Sequence, residues 1–227
     1  MSAFYVISTP IGNLEDITLR ALRILKEVDM VLCEDTRVTK RLFERHNITT
    51  PTLSYHAQSG DTKVEIILEK ISEGKNLALV TDAGTPGISD PGSLLVSKIR
   101  ETYPELHIVS IPGPSALTAA LSIAGVPTHE FIFLGFMPHK KGRETLFKEI
   151  AASERTMVFY ESTHRIIKAL ESLKEHLVPH TKKVTVVREI TKIFEEVLQG
   201  SPDEILEILT KIPEKQKGEF VVIVSVL

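Results

Sequence analysis

An α/β protein built from two α/β domains is what this sequence predicts, and three observations carry that reading. Short apolar runs alternate with amphipathic segments through residues 1–110, the pattern of strands separated by helices around a mostly parallel sheet. The pattern breaks at Ile111-Pro-Gly-Pro-Ser-Ala116 and then resumes with different spacing. In both halves, Gly/Pro-rich or charged residues stand just after the apolar runs. The break divides the chain into an N-terminal α/β domain, 1–112, and a C-terminal α/β domain, 113–227.

Phe4-Tyr-Val-Ile7 reads as the first strand, and it runs into the Gly/Pro loop Ser8-Thr-Pro-Ile-Gly-Asn-Leu14. A helix follows with Leu19, Leu22, Leu25 and Val28 expected on one face. Met30-Val-Leu-Cys33 is the next strand and ends in the charged tetrad Glu34-Asp-Thr-Arg37. Thr52-Leu-Ser-Tyr55 is the third, and a helix around Val64 to Ile71 leads to the strand Leu77-Ala-Leu-Val80. The helix from Ser93 to Arg100 is expected to take Asp90 as N-cap, with Pro91 in its first turn. His107 to Ile111 closes the first half. Ser115 is placed to cap the Ala/Leu/Ile-rich helix over 117–126, whose composition predicts burial. Strands are then predicted at Phe131–Leu134, Thr156–Tyr160, Lys183–Val187, Glu195–Gly200 and Glu219–Ser225. Helices are expected from about Glu144 and, capped by Ser201 or Asp203, through Leu209.

Composition narrows the class. The 227 residues carry a formal charge of −3, so nothing in the bulk charge advertises nucleic-acid binding. Two basic clusters stand out, Arg37/Lys40/Arg41/Arg45 and His139/Lys140/Lys141/Arg143, for which solvated helix faces are the ordinary explanation. No run is long and apolar enough for a membrane span, and no basic-then-apolar leader opens the chain. The single cysteine, Cys33, rules out an internal disulfide and fits a reducing, cytoplasmic setting; it lies in an apolar run and reads as a small buried hydrophobe. No His/Cys set has zinc spacing, so no metal is expected.

The chain is organised around Thr81-Asp-Ala-Gly-Thr-Pro-Gly-Ile-Ser-Asp-Pro-Gly92. A tight strand-to-helix turn without a ligand accounts for one or two Gly or Pro residues, not for the density found here. Gly87 and Gly92 have P-loop spacing, but Ser93 stands where the lysine belongs, and there is no G-x-G-x-x-G. No G-x-S-x-G elbow is present either. Glycine lets a ligand approach the main chain, so Gly84 is a candidate for cofactor contact. The strand ends at Ile7, Cys33, Tyr55, Val80, Ile111, Tyr160 and Val187 would gather along one edge, where α/β sheets bind ligands. Glu161, His164 and Arg165 have the spacing of one helix face.

This loop resembles, at every position, the signature Ser/Thr-Asp-Ala-Gly-x-Pro-x-Ile/Leu-Ser-Asp-Pro-Gly of the ribosomal RNA small-subunit methyltransferase I family, within the tetrapyrrole-methylase class of S-adenosylmethionine enzymes. Similar segments are Ser8–Leu14, Glu34–Arg37, the Pro-Gly-x-Ser/Thr-Ala segment Pro112–Ala116, Phe159–Ser162 with His164 and Arg165, and Arg188–Glu189 with Thr191–Lys192. The resemblance implies two α/β domains with S-adenosyl-L-methionine in the cleft between them, and a homodimer. It implies cofactor contacts at Pro10, Ile11, Asp82, Thr85, Ser115, Ala116 and Tyr160. It implies methylation of a cytidine ribose 2′-hydroxyl in small-subunit ribosomal RNA, within the small ribosomal subunit. For the acceptor side the candidates are Arg165 with Glu161, Arg37 with Glu34, and Lys192, supported by Asp35, Arg143, Arg188 and Glu189. Tetrapyrrole methylases carry Gly-Asp-Pro where this chain has Thr81-Asp82-Ala83, which favours the RNA branch over a tetrapyrrole substrate. A nucleotide-binding module without turnover is the remaining alternative. Many such proteins continue past the last strand into a helical region; here the sequence ends at Leu227, so the expectation is a grip on RNA through the dimer surface or an assembled particle.

Overall fold

The computed structural model describes residues 2–56 and 58–226, which fall into two compact units, Met1–Ser115 and Ala116–Leu227. The sequence drew its boundary three residues earlier. Pro112 to Pro114 stay with the first unit because Gly113 packs on Ser8, where an added Cβ would come within 3.0 Å of the Ser8 Cβ.

In the first unit, β1 (Ala3–Ile7), β2 (Met30–Cys33), β3 (Thr52–Ser54), β4 (Leu77–Leu79) and β5 (His107–Ile111) form one sheet in the order β3-β2-β4-β1-β5. Every neighbouring pair is parallel. All five strands therefore end at the same edge. The helices α1 (Leu19–Glu27), α2 (Thr36–His46), α3 (Asp61–Ser72) and α4 (Gly92–Thr102) cover the two faces. One core joins Val31, Ala78 and Val80 to Ala21, Leu25 and Phe43; the other joins Leu32, Leu77 and Leu79 to Ile67, Leu95 and Ile99. Adjacent strand residues thus point to opposite helical layers, as the two-residue period of a strand requires.

The stripe expected on α1 needs correction. Leu19 is 86 % exposed, and the inward face is Ala21, Ile24, Leu25 and Val28. The Thr18 hydroxyl accepts from the Ala21 amide and starts the helix at Leu19. At 100° per residue, Leu19 then lies on the side opposite Ala21, whereas 21, 24, 25 and 28 form one stripe.

The second unit opens with α5 (Ala116–Ala124) and holds β6 (Phe131–Phe136), α6 (Arg143–Ala152), β7 (Thr156–Ser162), α7 (Ile166–His176), β8 (Lys182–Arg188), β9 (Glu196–Gly200), α8 (Pro202–Lys211) and β10 (Glu219–Val226). Its sheet runs β6-β7-β10-β8-β9, and only β6 with β7 is parallel. A wholly parallel second sheet is therefore not what forms. The last strand inserts antiparallel between β7 and β8, so β6, β7 and β8 still share a direction and a carboxyl edge. Helices α6, α7 and α8 pack on one face; Ala120, Leu121 and Ala124 of α5 pack on the other, against Val158, Val187, Val221 and Ile223. Ser201 caps α8 in a reciprocal box with Glu204.

At the head of α4 the cap sits one residue from its expected place. Pro91 precedes the helix, and the Asp90 carboxylate accepts from the Gly87 and Gly92 amides at 2.7–2.9 Å. A Cβ on Gly92 would lie 2.8 Å from Asp90 Oδ1 and 3.1 Å from both the Gly87 nitrogen and Leu79 Cδ2. Gly92→Ala is expected to lower stability by about 1–3 kcal/mol in urea unfolding, although alanine is the better helix former. A stabilised variant would show that the clamp yields without cost.

Candidate active site

The first unit concentrates its polar contacts where β1, β4 and β5 end. Thr9 N donates to Gly84 O at 2.9 Å, and Gly84 N donates back to Thr9 O at 3.1 Å, a two-way bridge between loops far apart in sequence. Thr9 Oγ1 donates to Thr81 O at 3.0 Å. The Ser8 and Thr85 hydroxyls lie 2.8 Å apart, and Thr85 Oγ1 donates to Pro114 O at 3.2 Å. Gly84 takes φ +87, where L side chains are strained, and a Cβ there would touch Ile11 Cγ2 at 3.4 Å. A Gly84→Val change would therefore disturb the backbone together with any ligand contact. Ser8, Thr9, Ile11 and Thr81 are all buried.

Beside this lattice stand the carboxylates after β2 and β4. Thr81 Oγ1 donates to Glu34 Oε2 at 3.3 Å, and the Asp35 amide donates to Asp82 Oδ1 at 3.0 Å. Burial raises the pKa of both Glu34 and Asp82 above the ordinary values, and the Asp82 charge adds to the rise at Glu34. Asp35 behaves oppositely. It caps α2 and accepts from the Arg37 side chain and amide, which brings its pKa down to about 2. The Arg37 side chain is 88 % exposed, so this pair adds little to stability.

In the second unit, Glu161 is the last buried residue of β7, with no exposed side-chain surface. It accepts from Arg143 at 2.9 Å and from the Ser162 amide at 3.1 Å, and forms an ion pair with Arg165 at 3.0 Å, whose Nε–H donates to Ser162 Oγ. The expected pairing of Glu161 and Arg165 is present, but not on a helix face. Glu161 lies in the strand, α7 starts only at Ile166, and the intervening turn leaves His164 exposed. The strand outlasts its sequence prediction because Phe220 and Glu219 of β10 pair with Glu161 and Ser162. Arg188 is buried and donates to the carbonyls of Lys217, Phe194 and Glu214, which ties down its own loop. Lys192 is held between Glu189 at 2.9 Å and Glu219 at 2.7 Å. Tyr160 meets the Phe133 and Phe136 rings edge-on; burial raises the pKa of its hydroxyl, which is hydrogen-bonded to the Leu117 backbone.

The structure thus brings Pro10, Ile11, Asp82, Gly84, Thr85 and Ser115 together at the carboxyl edge of the first sheet, along with Glu34 and Arg37. Ala116, the first residue of α5, and Tyr160 belong to the second unit, where both pack against the core between α5 and the sheet. Ser8 and Thr9 are not singled out by the sequence as individual contacts; the signal for them was their position directly after a strand, within the family-like segment Ser8–Leu14. Among the described residues, no three metal-ligating side chains converge, and no helix is long and apolar enough to cross a membrane.

Residues 3–206 match the family described as Tetrapyrrole (Corrin/Porphyrin) Methylases. The chain is 46 % identical over 225 residues to "Ribosomal RNA small subunit methyltransferase I" of Leptospira biflexa, covering 97 % of this chain and 90 % of that one. It is 41 % identical to the protein of the same name from Thermotoga maritima, with 99 % of each chain covered. Among solved structures it is similar to the methyltransferase CobJ, with a TM-score of 0.71, 20 % identity and coverage of 100 % and 95 %. It is also similar to uroporphyrin-III C-methyltransferase from Thermus thermophilus in complex with S-adenosyl homocysteine, with a TM-score of 0.65, 17 % identity and coverage of 99 % and 97 %. These structural likenesses, below a quarter identity, speak for the fold; with the family match and the sequence relatives, the chain belongs to the ribosomal RNA small subunit methyltransferase I family of the tetrapyrrole methylases.

Proposed function

We propose that this protein uses S-adenosylmethionine to methylate the ribose 2′-hydroxyl of a cytidine in small-subunit ribosomal RNA, acting on the small ribosomal subunit as a homodimer. The observation that carries the reading is the Thr9–Gly84 bridge, which sets the signature loop at the edge where an α/β sheet binds ligands. The relatives' name supplies the substrate class. The residues suit the cofactor. The missing side chain of Gly84 leaves room beside Ile11 and the Pro114 carbonyl, Thr85 offers a hydroxyl, and the desolvated Asp82 and Glu34 give a negative setting for a cation. Pro10, Ile11, Asp82, Gly84, Thr85, Ser115, Ala116 and Tyr160 are the residues assigned to hold it.

Bound there, S-adenosylmethionine supplies an electrophilic methyl group on a sulfonium. The protein's own task is to bring the acceptor oxygen in line and to take its proton. Glu34 is the best-suited proton acceptor of the predicted set, because its pKa is raised toward the working range. Glu161 is saturated by two guanidiniums and an amide, so it and Arg165 serve to position. Arg37, mostly exposed, and Lys192 are the cations this reading assigns to the RNA. Labelled cofactor offered with undermethylated small subunits or with a tetrapyrrole tests the whole reading; label in the tetrapyrrole alone, or in neither, would sink it.

Three outcomes are expected. Asp82→Asn keeps an oxygen for the Asp35 amide and removes the charge. Because burial lifts the folded-state pKa above 3.8, ionisation of Asp82 opposes folding above that pH and has no effect well below it. The variant should melt higher than wild type at pH 7, equal it in strong acid, and bind cofactor at least about tenfold more weakly by calorimetry. Unchanged affinity would remove Asp82 from the cofactor site.

Glu34→Gln should lower kcat by roughly 10²–10⁴-fold with cofactor affinity kept. In wild type, kcat should rise with pH through an apparent pKa above 4.5, as the carboxylate loses its proton, and the variant should lose that limb. A variant with the wild-type profile would send the search for the base elsewhere.

The dimer is supported by apolar surface: Ile193 is 95 % and Phe194 67 % exposed in the loop between β8 and β9. Light scattering at micromolar concentration should give a dimer, and Ile193→Asp with Phe194→Asp should give a monomer. A fully active monomeric wild type would overturn this.

A further inference from the structure

Several exposed cations of the second unit have carboxylate partners, Lys148 with Glu144, Arg155 with Glu130, Lys174 with Asp203 and Lys211 with Glu207, whereas Lys168 and Lys217 stand singly without an ion pair among the described residues. The loop from Pro138 to Gly142, at the carboxyl end of β6, sets two unpaired lysines side by side. His139, Lys140 and Lys141 are exposed there, and among the described residues neither lysine makes an ion pair. Glu144, the nearest acid along the chain, is occupied by Lys148.

The base of this loop is fastened from beneath. Arg165 Nη1 donates to Met137 O at 2.7 Å, and Arg143 Nη1 donates to Pro138 O at 3.3 Å. Both guanidiniums are held by the buried Glu161 carboxylate. The Arg143 guanidinium also lies 5.1 Å from the Phe147 ring centre, and its buried Nη2 has no hydrogen-bond partner among the described residues. Burying one carboxylate with two guanidiniums is costly, and hydrophobic side chains would hold a strand end more cheaply. What the charged cluster does, and apolar packing would not, is pin two backbone carbonyls of a loop that carries unneutralised lysines.

We propose that the Pro138–Gly142 loop is a grip for the RNA phosphate backbone. Lys140 and Lys141 make the contacts, and Glu161 is a positioning residue acting through Arg143 and Arg165. A loop fixed before binding loses less freedom when the phosphates arrive, so two lysines on it do more than two on a mobile segment. The assignment rests on the reading that RNA is the acceptor.

The test uses the whole protein with undermethylated small subunits, following methyl transfer and RNA affinity across a salt series. Lys140→Ala with Lys141→Ala should raise KM for the particle about tenfold, flatten the salt dependence by one to two phosphate contacts, and leave kcat and cofactor affinity unchanged. Lys168→Ala, an exposed lysine on α7, should change none of these. Glu161→Gln should raise KM in the same direction, and should add nothing in the double-lysine background, since both act through one loop. A wild-type KM and salt slope in the double-lysine variant would overturn the grip, as would an equal loss in Lys168→Ala. An additive effect of Glu161→Gln would overturn its positioning role. No transfer by wild type to any RNA would instead strike the substrate reading itself.

Discussion

The two-way hydrogen bond between Thr9 and Gly84 is the contact on which the candidate cofactor site depends. It ties the loop after β1 to the loop after β4, strands that are neighbours in the sheet but lie more than seventy residues apart in sequence. Gly84 can make it only in a left-handed conformation, which is why a residue without Cβ is needed there. Once it is made, Ser8 meets Thr85, Thr85 meets Pro114, and the connection after β5 joins the same lattice. The Asp90 clamp at the head of α4 then fixes the far end of the signature loop. Each of these contacts satisfies a backbone or hydroxyl group that would otherwise be buried at some cost.

Electrostatics divides the acidic residues into two kinds. Glu34 and Asp82 are desolvated and close together, so their ionised forms are held at a free-energy cost that a cation would relieve. Glu161 is buried more deeply, yet it is met by two guanidiniums and an amide. The first pair is left without a cationic partner in direct contact among the described residues, whereas the second cluster is internally paired and holds the backbone around it. Residue type alone does not separate these roles; partners do.

Much of this protein was legible in its sequence. The alternation of apolar runs and amphipathic segments defined the two α/β halves, the Pro-Gly-Pro break lay within three residues of the junction between the compact units, and the Thr81–Gly92 loop carried the family. These features are local, set by side-chain period, turn chemistry and backbone freedom within a dozen residues.

Only the tertiary structure decided the rest. The run Phe220-Val-Val-Ile-Val224 announces a buried strand, but its period of two is the same in either direction, and pairing with β7 and β8 made it antiparallel and central. The same pairing kept Glu161 in a strand, so it met Arg165 across a turn and not along a helix. Leu19 turned outward because the Thr18 cap set the phase of α1. The meeting of Thr9 with Gly84, of Thr81 with Glu34 and of Asp82 with the Asp35 amide comes from parallel strands ending at one edge. Sequence patterns specify which segments are strands; which strands become neighbours is chosen by the packing of the whole sheet, and with it which side chains meet at the site.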